Sequence, residues 1–218
     1  MRSDVESSPV IEVSRVSRAY RRPRGSKTGR GRAVDDVSFR VAAGESVALL
    51  GPNGAGKSTM MRMRSGVLRP SGGTISCLGE TPARRSRGFL MRTSLIMGQK
   101  QRANLDVPLR ASLELQRVLY DISRDEFDET LARFEELLGL GAYIDRPVRT
   151  LSLGERMRGE LAMGLLHLPE LVLLDEPTIG LDAASQRSLR GFLREYNRDT
   201  GGDDHPDEPL HGGRRGGV

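Results

Sequence analysis

The chain has 218 residues, which is enough for one domain with a subdomain. Apolar residues make up 37% of it, and its single cysteine, Cys77, excludes an internal disulfide and favours a reducing compartment. The longest apolar stretch, residues 161–174, is interrupted by polar residues and is too short for a membrane span of about 20 residues, so we expect a soluble chain.

The net charge of +5 comes from 34 basic and 29 acidic residues. Residues 21–32 contain six basic residues and no acidic one, so the rest of the chain is close to neutral. This loop could meet nucleic acid or an anionic lipid surface. The simpler interpretation is a solvated basic loop, and we expect no nucleic-acid partner.

The N-terminal third has the alternation of a β-structure. Residues 10–20 alternate between apolar and polar side chains, which predicts a strand. Residues 33–51 predict a strand, a turn at Ala43–Gly44 and a second strand that ends at Leu50. After a glycine-rich loop and a helix, residues 72–80 predict another short strand.

The rest of the chain is mainly helical in pattern. Apolar residues at helical spacing over 109–140 predict a helical subdomain covering about 100–160. Residues 151–167 predict a further helix, and 182–197 predict one more, with an aspartate as its N-cap. Between these two helices, the aliphatic run in 170–177 predicts a buried strand of a parallel sheet.

The segment GPNGAGKST at 51–59 fits the pattern G-x-x-x-x-G-K-[ST] and lies between a predicted strand and a predicted helix. Its backbone N–H groups and the helix N-terminus form an anion site for phosphates. Lys57 would reach the β- and γ-phosphates, and Ser58 would offer its hydroxyl to Mg²⁺. The predicted nucleotide-binding residues of this loop are Gly51, Pro52, Asn53, Gly54, Ala55, Gly56, Lys57, Ser58 and Thr59. The loop alone does not distinguish kinases, GTPases and ATPases.

Two acidic residues follow the predicted buried strand. Asp175 and Glu176 come at its carboxyl end, where ligands bind in open α/β sheets. Asp175 is a candidate Mg²⁺ ligand, and Glu176 is a candidate group to polarise an attacking water. The alternative is a pair of solvated acids, which the upstream phosphate loop disfavours.

Further motifs resemble the ABC ATPases. LSLGERMRGE at 151–160 resembles their signature sequence, LSGGQ, and precedes LLDEPTIGLD as it does in that family. The remaining correspondences are Gln99 with the Q-loop, Tyr20 with an adenine-stacking aromatic, and Leu181 and Asp182 with the D-loop. The resemblance covers roughly residues 10–197. The residues within the motifs look most like those of a bacterial exporter branch.

The resemblance implies an α/β fold: a P-loop NTPase parallel-sheet core, an N-terminal antiparallel β subdomain and a helical subdomain. It implies catalytic roles for Glu176, Gln99 and Lys57 and Mg²⁺ ligation by Ser58, Gln99 and Asp175. It also implies a homodimer or heterodimer in which two ATP molecules are sandwiched. Ser152 and Gly154 of one copy would then face the γ-phosphate held at Lys57 of the other, with Asp182 nearby.

A transporter role also follows from the resemblance. ATP-driven closure of the dimer would power membrane-spanning permease subunits, with the chain in the cytoplasm on the inner face of the membrane. Two positions depart from the family pattern: Leu153 replaces the first glycine of the signature, and Glu155 replaces its glutamine.

Residues 198–218 contain no apolar run, and their Gly, Pro and charged residues predict a disordered tail after a domain of residues 1–197. The family continues with an apolar strand ending in a histidine, so we expect the C-terminal part of the core to be missing through truncation or a frameshift. His205 and His211 are poor substitutes for that histidine, and we expect ATP hydrolysis to be impaired.

Three functions therefore remain open. The first is the ATPase subunit of an exporter. The second is an ABC ATPase without transport, such as a ribosome-associated or DNA-repair member, although such proteins usually carry two fused domains or long coiled coils. The third is a remnant that binds ATP with little or no hydrolysis.

Overall fold

The computed structural model of the chain describes residues 9–20, 31–98 and 102–200. The strands are β1 (Ile11–Tyr20), β2 (Gly31–Val41), β3 (Gly72–Cys77), β4 (Thr93–Met97) and β5 (Leu171–Asp175). The helices are α1 (Lys57–Arg64), α2 (Arg87–Met91), α3 (Leu109–Leu119), α4 (Arg124–Leu138), α5 (Leu153–Leu165) and α6 (Ala183–Thr200). The α/β fold class predicted from the sequence is confirmed.

The first three strands form an antiparallel sheet in the order β2-β1-β3. Val13 pairs with Phe39 on one side and with Ile75 on the other, so β1 lies in the middle. Register shifts along β1 bend this sheet. The alternation read in residues 10–20 therefore reflects a strand with one buried face, on which Val13 and Val16 are enclosed.

A second sheet consists of β4 and β5, which run parallel with Thr93 opposite Leu171 and Met97 opposite Asp175. The backbone N–H of Gly98 continues this ladder by donating to the Asp175 carbonyl over 3.0 Å. The strand β4 was not predicted, because five residues after a short helix give too little alternation to separate a strand from a helical turn.

The predicted strand ending at Leu50 is wrong. The turn at Ala43–Gly44 is present, but residues 45–50 are not a strand, and Leu50 is 86% exposed. A strand needs neighbours that pair with its N–H and C=O groups, and none of the described strands pairs with this segment. The apolar run at 47–50 favours a strand, but whether a strand forms depends on a pairing partner elsewhere in the fold.

A groove separates this segment from β5. It has a volume of about 430 Å³, and its walls include residues 43–47 on one side and Leu171–Leu174 on the other. Tyr196 and Asn197 of α6 line it as well, and the Asn197 side chain donates to the Gly44 carbonyl over 3.2 Å. Within the described chain β5 pairs with β4 alone, so its second edge faces this groove.

The four long helices share one apolar core. Phe134 of α4 lies at its centre and contacts Phe192 of α6 edge to face, with ring centroids 5.8 Å apart. The start of α4 is fixed by a capping box, in which Ser123 and Glu126 bond to each other's backbone. Helix α6 runs to Thr200, three residues past the predicted boundary, and 201–218 lie outside the described residues.

Three apolar side chains of the helical region are not in this core. Leu115, Val118 and Leu119 lie on one face of α3 and are about 60% exposed. We call these three residues the apolar patch. Across the described ranges, no helix combines the length and the apolar character needed to cross a membrane.

A half-buried histidine follows α5. The ring of His167 stacks on Tyr120 with centroids 3.8 Å apart, and burial lowers its pKa from 6.5 to about 4. The unfolded chain therefore takes up a proton at a higher pH than the folded chain does.

We expect the free energy of unfolding to decrease as the pH falls from 6.5 to 4, by on the order of 2–3 kcal/mol from His167 alone. The decrease starts below the unfolded pKa and is complete below the folded pKa. Urea denaturation at several pH values measures it, and His167→Gln should flatten the profile between pH 6.5 and 4.5. A profile that is equally steep in the variant would exclude His167 as the cause.

Candidate nucleotide-binding site

The glycine-rich loop ends in the N-terminus of α1. Gly54 and Gly56 have positive φ angles of 85° and 88°, which L-residues with a side chain rarely adopt. A Cβ at Gly56 would also overlap the carbonyl oxygen of Ala33. Helix α1 has no side-chain cap and no acidic residue in its first turn. Its first N–H groups and the positive end of its dipole are therefore available to an anion.

Lys57 is the first residue of α1 and folds back over the loop. Its Nζ donates to the carbonyl oxygens of Gly51 and Pro52 over 2.8 and 3.0 Å. No described carboxylate forms an ion pair with this ammonium group. The ammonium group is thus held above the loop by neutral carbonyl groups, and it can exchange these partners for phosphate oxygens.

The loop and the end of β5 meet at the side chain of Ser58. Its hydroxyl donates to Asp175 Oδ1 over 3.0 Å, although the two residues are 117 positions apart. Glu176 follows at once with φ +51°, a left-handed conformation that is strained for a residue with a side chain. Gly98 packs against the Glu176 carbonyl so closely that a Cβ would overlap it. Gly98, Asp175 and Glu176 therefore form one tight corner below the loop.

A cavity of about 770 Å³ lies over this corner. Its walls are Ala33, Asn53, Gly54, Gly56, Lys57, Ser58, Thr59, Glu176, Thr178, Ile179, Gly180 and Gln186. Most of the loop residues predicted to bind nucleotide, together with Glu176, therefore surround one space.

Some wall residues were not predicted. Thr178, Ile179 and Gly180 come from the turn after Glu176, and Gln186 comes from the first turn of α6. The Gln186 side chain donates to the Leu181 carbonyl over 3.1 Å and so holds this turn against α6. The motif PTIGLD was available as a signal, but only its aspartate carries a side chain with obvious nucleotide chemistry.

Several predicted residues are not placed at this cavity. Gly51, Pro52, Ala55 and Asp175 are not among its described wall residues. Tyr20 is exposed at the end of β1, where the Arg18 guanidinium covers its ring at 5.0 Å, and it is not among the described wall residues. Gln99 lies outside the described residues, between Gly98 and Arg102.

The predicted signature residues form the start of α5. Ser152 is the N-cap: its Oγ accepts from the Glu155 N–H over 3.2 Å, and the Glu155 carboxylate accepts from the Ser152 N–H over 2.7 Å. We call Ser152–Glu155 the signature tip. The hydrogen bond from the Ser152 backbone lowers the pKa of Glu155, so its carboxylate is ionised, and the Arg146 guanidinium lies 3.6 Å from it. None of these four residues lines the cavity over Lys57.

Asp182 lies beside the signature tip. Its carboxylate accepts from the backbone N–H and the hydroxyl of Ser185 over 2.8 and 3.1 Å, so it caps α6 as predicted. These two hydrogen bonds lower the pKa of Asp182. A Cβ on Gly154 would lie 2.8 Å from the Ser185 hydroxyl, so a larger residue there would displace that side chain. The tip and the start of α6 are therefore in direct contact.

Comparisons with known proteins agree with this geometry. Residues 34–179 match the ABC transporter family. The chain is 34% identical to the uncharacterized ABC transporter ATP-binding protein YhcH of Bacillus subtilis. The alignment spans 177 residues, which are 81% of this chain and 57% of that protein. It is 36% identical over 190 residues to the Nod factor export ATP-binding protein I of Sinorhizobium fredii, with 87% and 52% covered. The chain thus spans about half the length of these two relatives.

An import protein is also similar. The zinc uptake system ATP-binding protein ZurA of Listeria monocytogenes is 32% identical over 197 residues, with 87% of this chain and 72% of that protein covered.

Among solved structures, an ATP-binding subunit of an ABC transporter superposes with a TM-score of 0.73 at 26% identity, over 87% of this chain and 75% of that one. A dimeric ATP-binding cassette bound to ADP and Pi has the same fold, with a TM-score of 0.73 at 21% identity over 88% and 84% of the two chains. The chain belongs to the ABC transporter family and contains its ATP-binding domain.

Proposed function

We propose that this chain binds and hydrolyses ATP as the nucleotide-binding subunit of an ABC membrane transporter. The observation that carries the proposal is the hydrogen bond from Ser58 to Asp175, which joins the phosphate loop to the acidic end of β5 below one cavity. This juxtaposition places a cationic loop and an acidic corner beside the same cavity, which suits a nucleoside triphosphate with its metal ion.

The phosphate loop, Lys57 and Glu176 each have a role in phosphoryl transfer to water. The loop amides and the α1 N-terminus hold the phosphate oxygens, and Lys57 turns from its carbonyl partners to the β- and γ-phosphates. Glu176 accepts a proton from the attacking water as it bonds to the γ-phosphorus and the bond to the ADP oxygen breaks. Gln99, the residue directly after Gly98, is proposed to help orient that water.

The donor set fits a magnesium ion. A hydroxyl and a carboxylate oxygen 3.0 Å apart can share a small hard cation, with phosphate oxygens and waters completing its shell. Ser58 and Asp175 would hold the ion, and Gln99 is a proposed third ligand. When bound, Mg²⁺ would neutralise charge on the β- and γ-phosphates.

Partners are proposed for two surfaces. The signature tip is an N-terminal helix end whose four residues do not line the cavity of their own chain, so we propose that it faces the nucleotide of a second copy in an ATP sandwich. The apolar patch on α3 exposes three large aliphatic side chains on one face, which is typical of a protein interface. We propose that the permease subunits dock there and hold the chain at the inner face of the membrane.

We further propose that the transporter is an exporter. The supporting observation is that a Nod factor export protein is 36% identical, against 32% for the zinc uptake protein. The direction is tested by transport assays with the permease encoded beside this gene, in inverted membrane vesicles.

Replacing Lys57 with alanine should weaken ATP binding about a hundredfold, because the change removes the cation aimed at the phosphates. Titration with a fluorescent ATP analogue and Mg²⁺ measures the dissociation constant. Arg62→Ala is the matched control, since Arg62 is an exposed cation on the same helix. Equal affinities for both variants would exclude the loop as the nucleotide site.

The charge of Glu155 is expected to oppose ATP-dependent dimerisation without affecting the binding of ATP to the single chain. Its carboxylate occupies the Ser152 N–H and would repel the γ-phosphate of a partner's nucleotide. We expect Glu155→Gln to strengthen ATP-dependent dimerisation about tenfold, because glutamine keeps the capping bond and removes the charge.

Analytical ultracentrifugation with a non-hydrolysable ATP analogue measures that effect. Glu126→Gln is the control, because Glu126 has the same capping role at α4, away from the tip. Dimerisation that is weaker in Glu155→Gln would show that the carboxylate supports the interface.

A further inference from the structure

One buried carboxylate has no role in the site described above. Glu160 lies two turns along α5 from the signature tip and is 5% exposed. Its Oε1 accepts from the backbone N–H groups of Arg102 and Ala103 over 2.8 and 3.0 Å. Burial raises the pKa of Glu160, and the two backbone hydrogen bonds oppose that change. No described cation forms an ion pair with it.

The burial of this group is unfavourable by itself. A buried carboxylate loses its hydration, and an apolar residue of similar volume is often neutral or stabilising in such a place. The contribution of Glu160 therefore lies in the two amides that it holds, which come from a chain segment 57 and 58 residues away.

The segment after Ala103 is fastened to the same part of the chain. Arg149 donates its backbone N–H to the Leu105 carbonyl over 2.9 Å, and its guanidinium contacts Asp106 at 3.1 Å. Val148 donates to the Val107 carbonyl over 3.1 Å. Because 148–150 lead directly into the signature tip, residues 102–107 and the tip are fixed to one another.

The segment before Arg102 is fastened elsewhere. The Gly98 N–H bonds to the Asp175 carbonyl, and Gly98 packs on Glu176. The chain thus passes from the acidic corner to the signature helix between Gly98 and Arg102, and Gln99 belongs to the three residues between these two anchors.

We propose that Glu160 is a positioning residue, which fixes Arg102 and Ala103 to the helix that carries the signature tip. Ser152 and Glu160 are about 12 Å apart along one rigid helix, at about 1.5 Å per residue. A shift of the tip against a partner's γ-phosphate is thereby passed to Arg102 and Ala103. This inference rests on the proposed function, because it assigns Glu160 to the γ-phosphate response of the same site.

The test compares Glu160→Met, which removes the acceptor, with Glu160→Gln, which keeps it. Met163→Leu is the control for a change in the buried face of α5, since Met163 is 2% exposed. For each variant, the dissociation constants of a non-hydrolysable ATP analogue and of ADP are measured with Mg²⁺. The contacts of ADP come from the loop at 51–59, which Glu160 does not touch, so a merely structural change would weaken both ligands alike.

We expect Glu160→Met to reduce the preference for the ATP analogue over ADP at least tenfold. Glu160→Gln and Met163→Leu should keep this preference within about twofold. An unchanged preference in Glu160→Met, or an equal loss in Met163→Leu, overturns the inference.

A wild-type chain that binds neither ligand refutes the proposed function, and a second measurement then decides about Glu160. Amide hydrogen exchange at Arg102 and Ala103 without nucleotide should be at least tenfold faster in Glu160→Met than in wild type and Glu160→Gln. Equal exchange rates overturn the positioning role.

Discussion

Replacing Glu176 with glutamine is expected to lower the rate of ATP hydrolysis by about 10²–10⁴ and to leave ATP affinity nearly unchanged. A positioned general base contributes a factor of that size, and glutamine fills the same volume but cannot accept the proton of the attacking water. Phosphate release from Mg–ATP measures the rate, and fluorescent nucleotide titration measures the affinity.

Glu170→Gln is the matched control for Glu176→Gln. Glu170 precedes β5, at the end of the strand opposite the cavity, and forms an exposed ion pair with Arg92. Its loss should leave hydrolysis within about twofold of wild type. A wild-type chain without measurable hydrolysis would refute the ATPase proposal, and equal rates in wild type and Glu176→Gln would exclude Glu176 as the base.

Replacing Phe134 with alanine is expected to reduce the free energy of unfolding by about 3–5 kcal/mol. Its ring is 1% exposed and contacts Phe192 edge to face, with Tyr196 also near at 6.4 Å between centroids. The variant loses buried apolar area, a cavity opens between α4 and α6, and the aromatic contacts disappear.

Urea denaturation followed by circular dichroism measures the loss in Phe134→Ala. Phe134→Leu should lose less, because leucine fills part of the cavity. Ala132→Gly is not an adequate substitute for this control, since it changes helix propensity instead of packing. If Phe134→Ala lowers the free energy of unfolding by less than about 1 kcal/mol, the packing of α6 does not depend on the ring contacts of Phe134 with Phe192 and Tyr196.

The juxtaposition of the phosphate loop with Asp175 could be predicted from the sequence because each of the two parts is a local pattern. The phosphate loop is defined by nine consecutive residues, and the aliphatic run before Asp175 predicts a buried strand by itself. The rule that ligands bind at the carboxyl ends of parallel strands then predicts that the loop and Asp175 lie close together, and the structure places Ser58 against Asp175.

The parts that could not be predicted depend on distant partners. Residues 45–50 end in a short apolar run that suits a strand, but whether they pair depends on a neighbouring strand that their own sequence does not specify. The role of Glu160 was likewise hidden, because a carboxylate within a helix gives no sign of the amides that it will meet. Gln186 lies at the cavity because the first turn of α6, after Asp182, places it there, and the sequence does not indicate where that turn lies.

The groove beside β5 has a consequence for work with the isolated chain. Within the described chain, the second edge of β5 has no pairing strand, and Val47, which is 45% exposed, lines the groove beside it. Such an edge is a template for intermolecular pairing. Oligomers formed in this way need no nucleotide, grow with protein concentration and resist dilution, whereas an ATP sandwich disperses once the nucleotide is removed. Reversibility on nucleotide removal is therefore the property that would separate the proposed ATP-dependent dimer from the first step of precipitation.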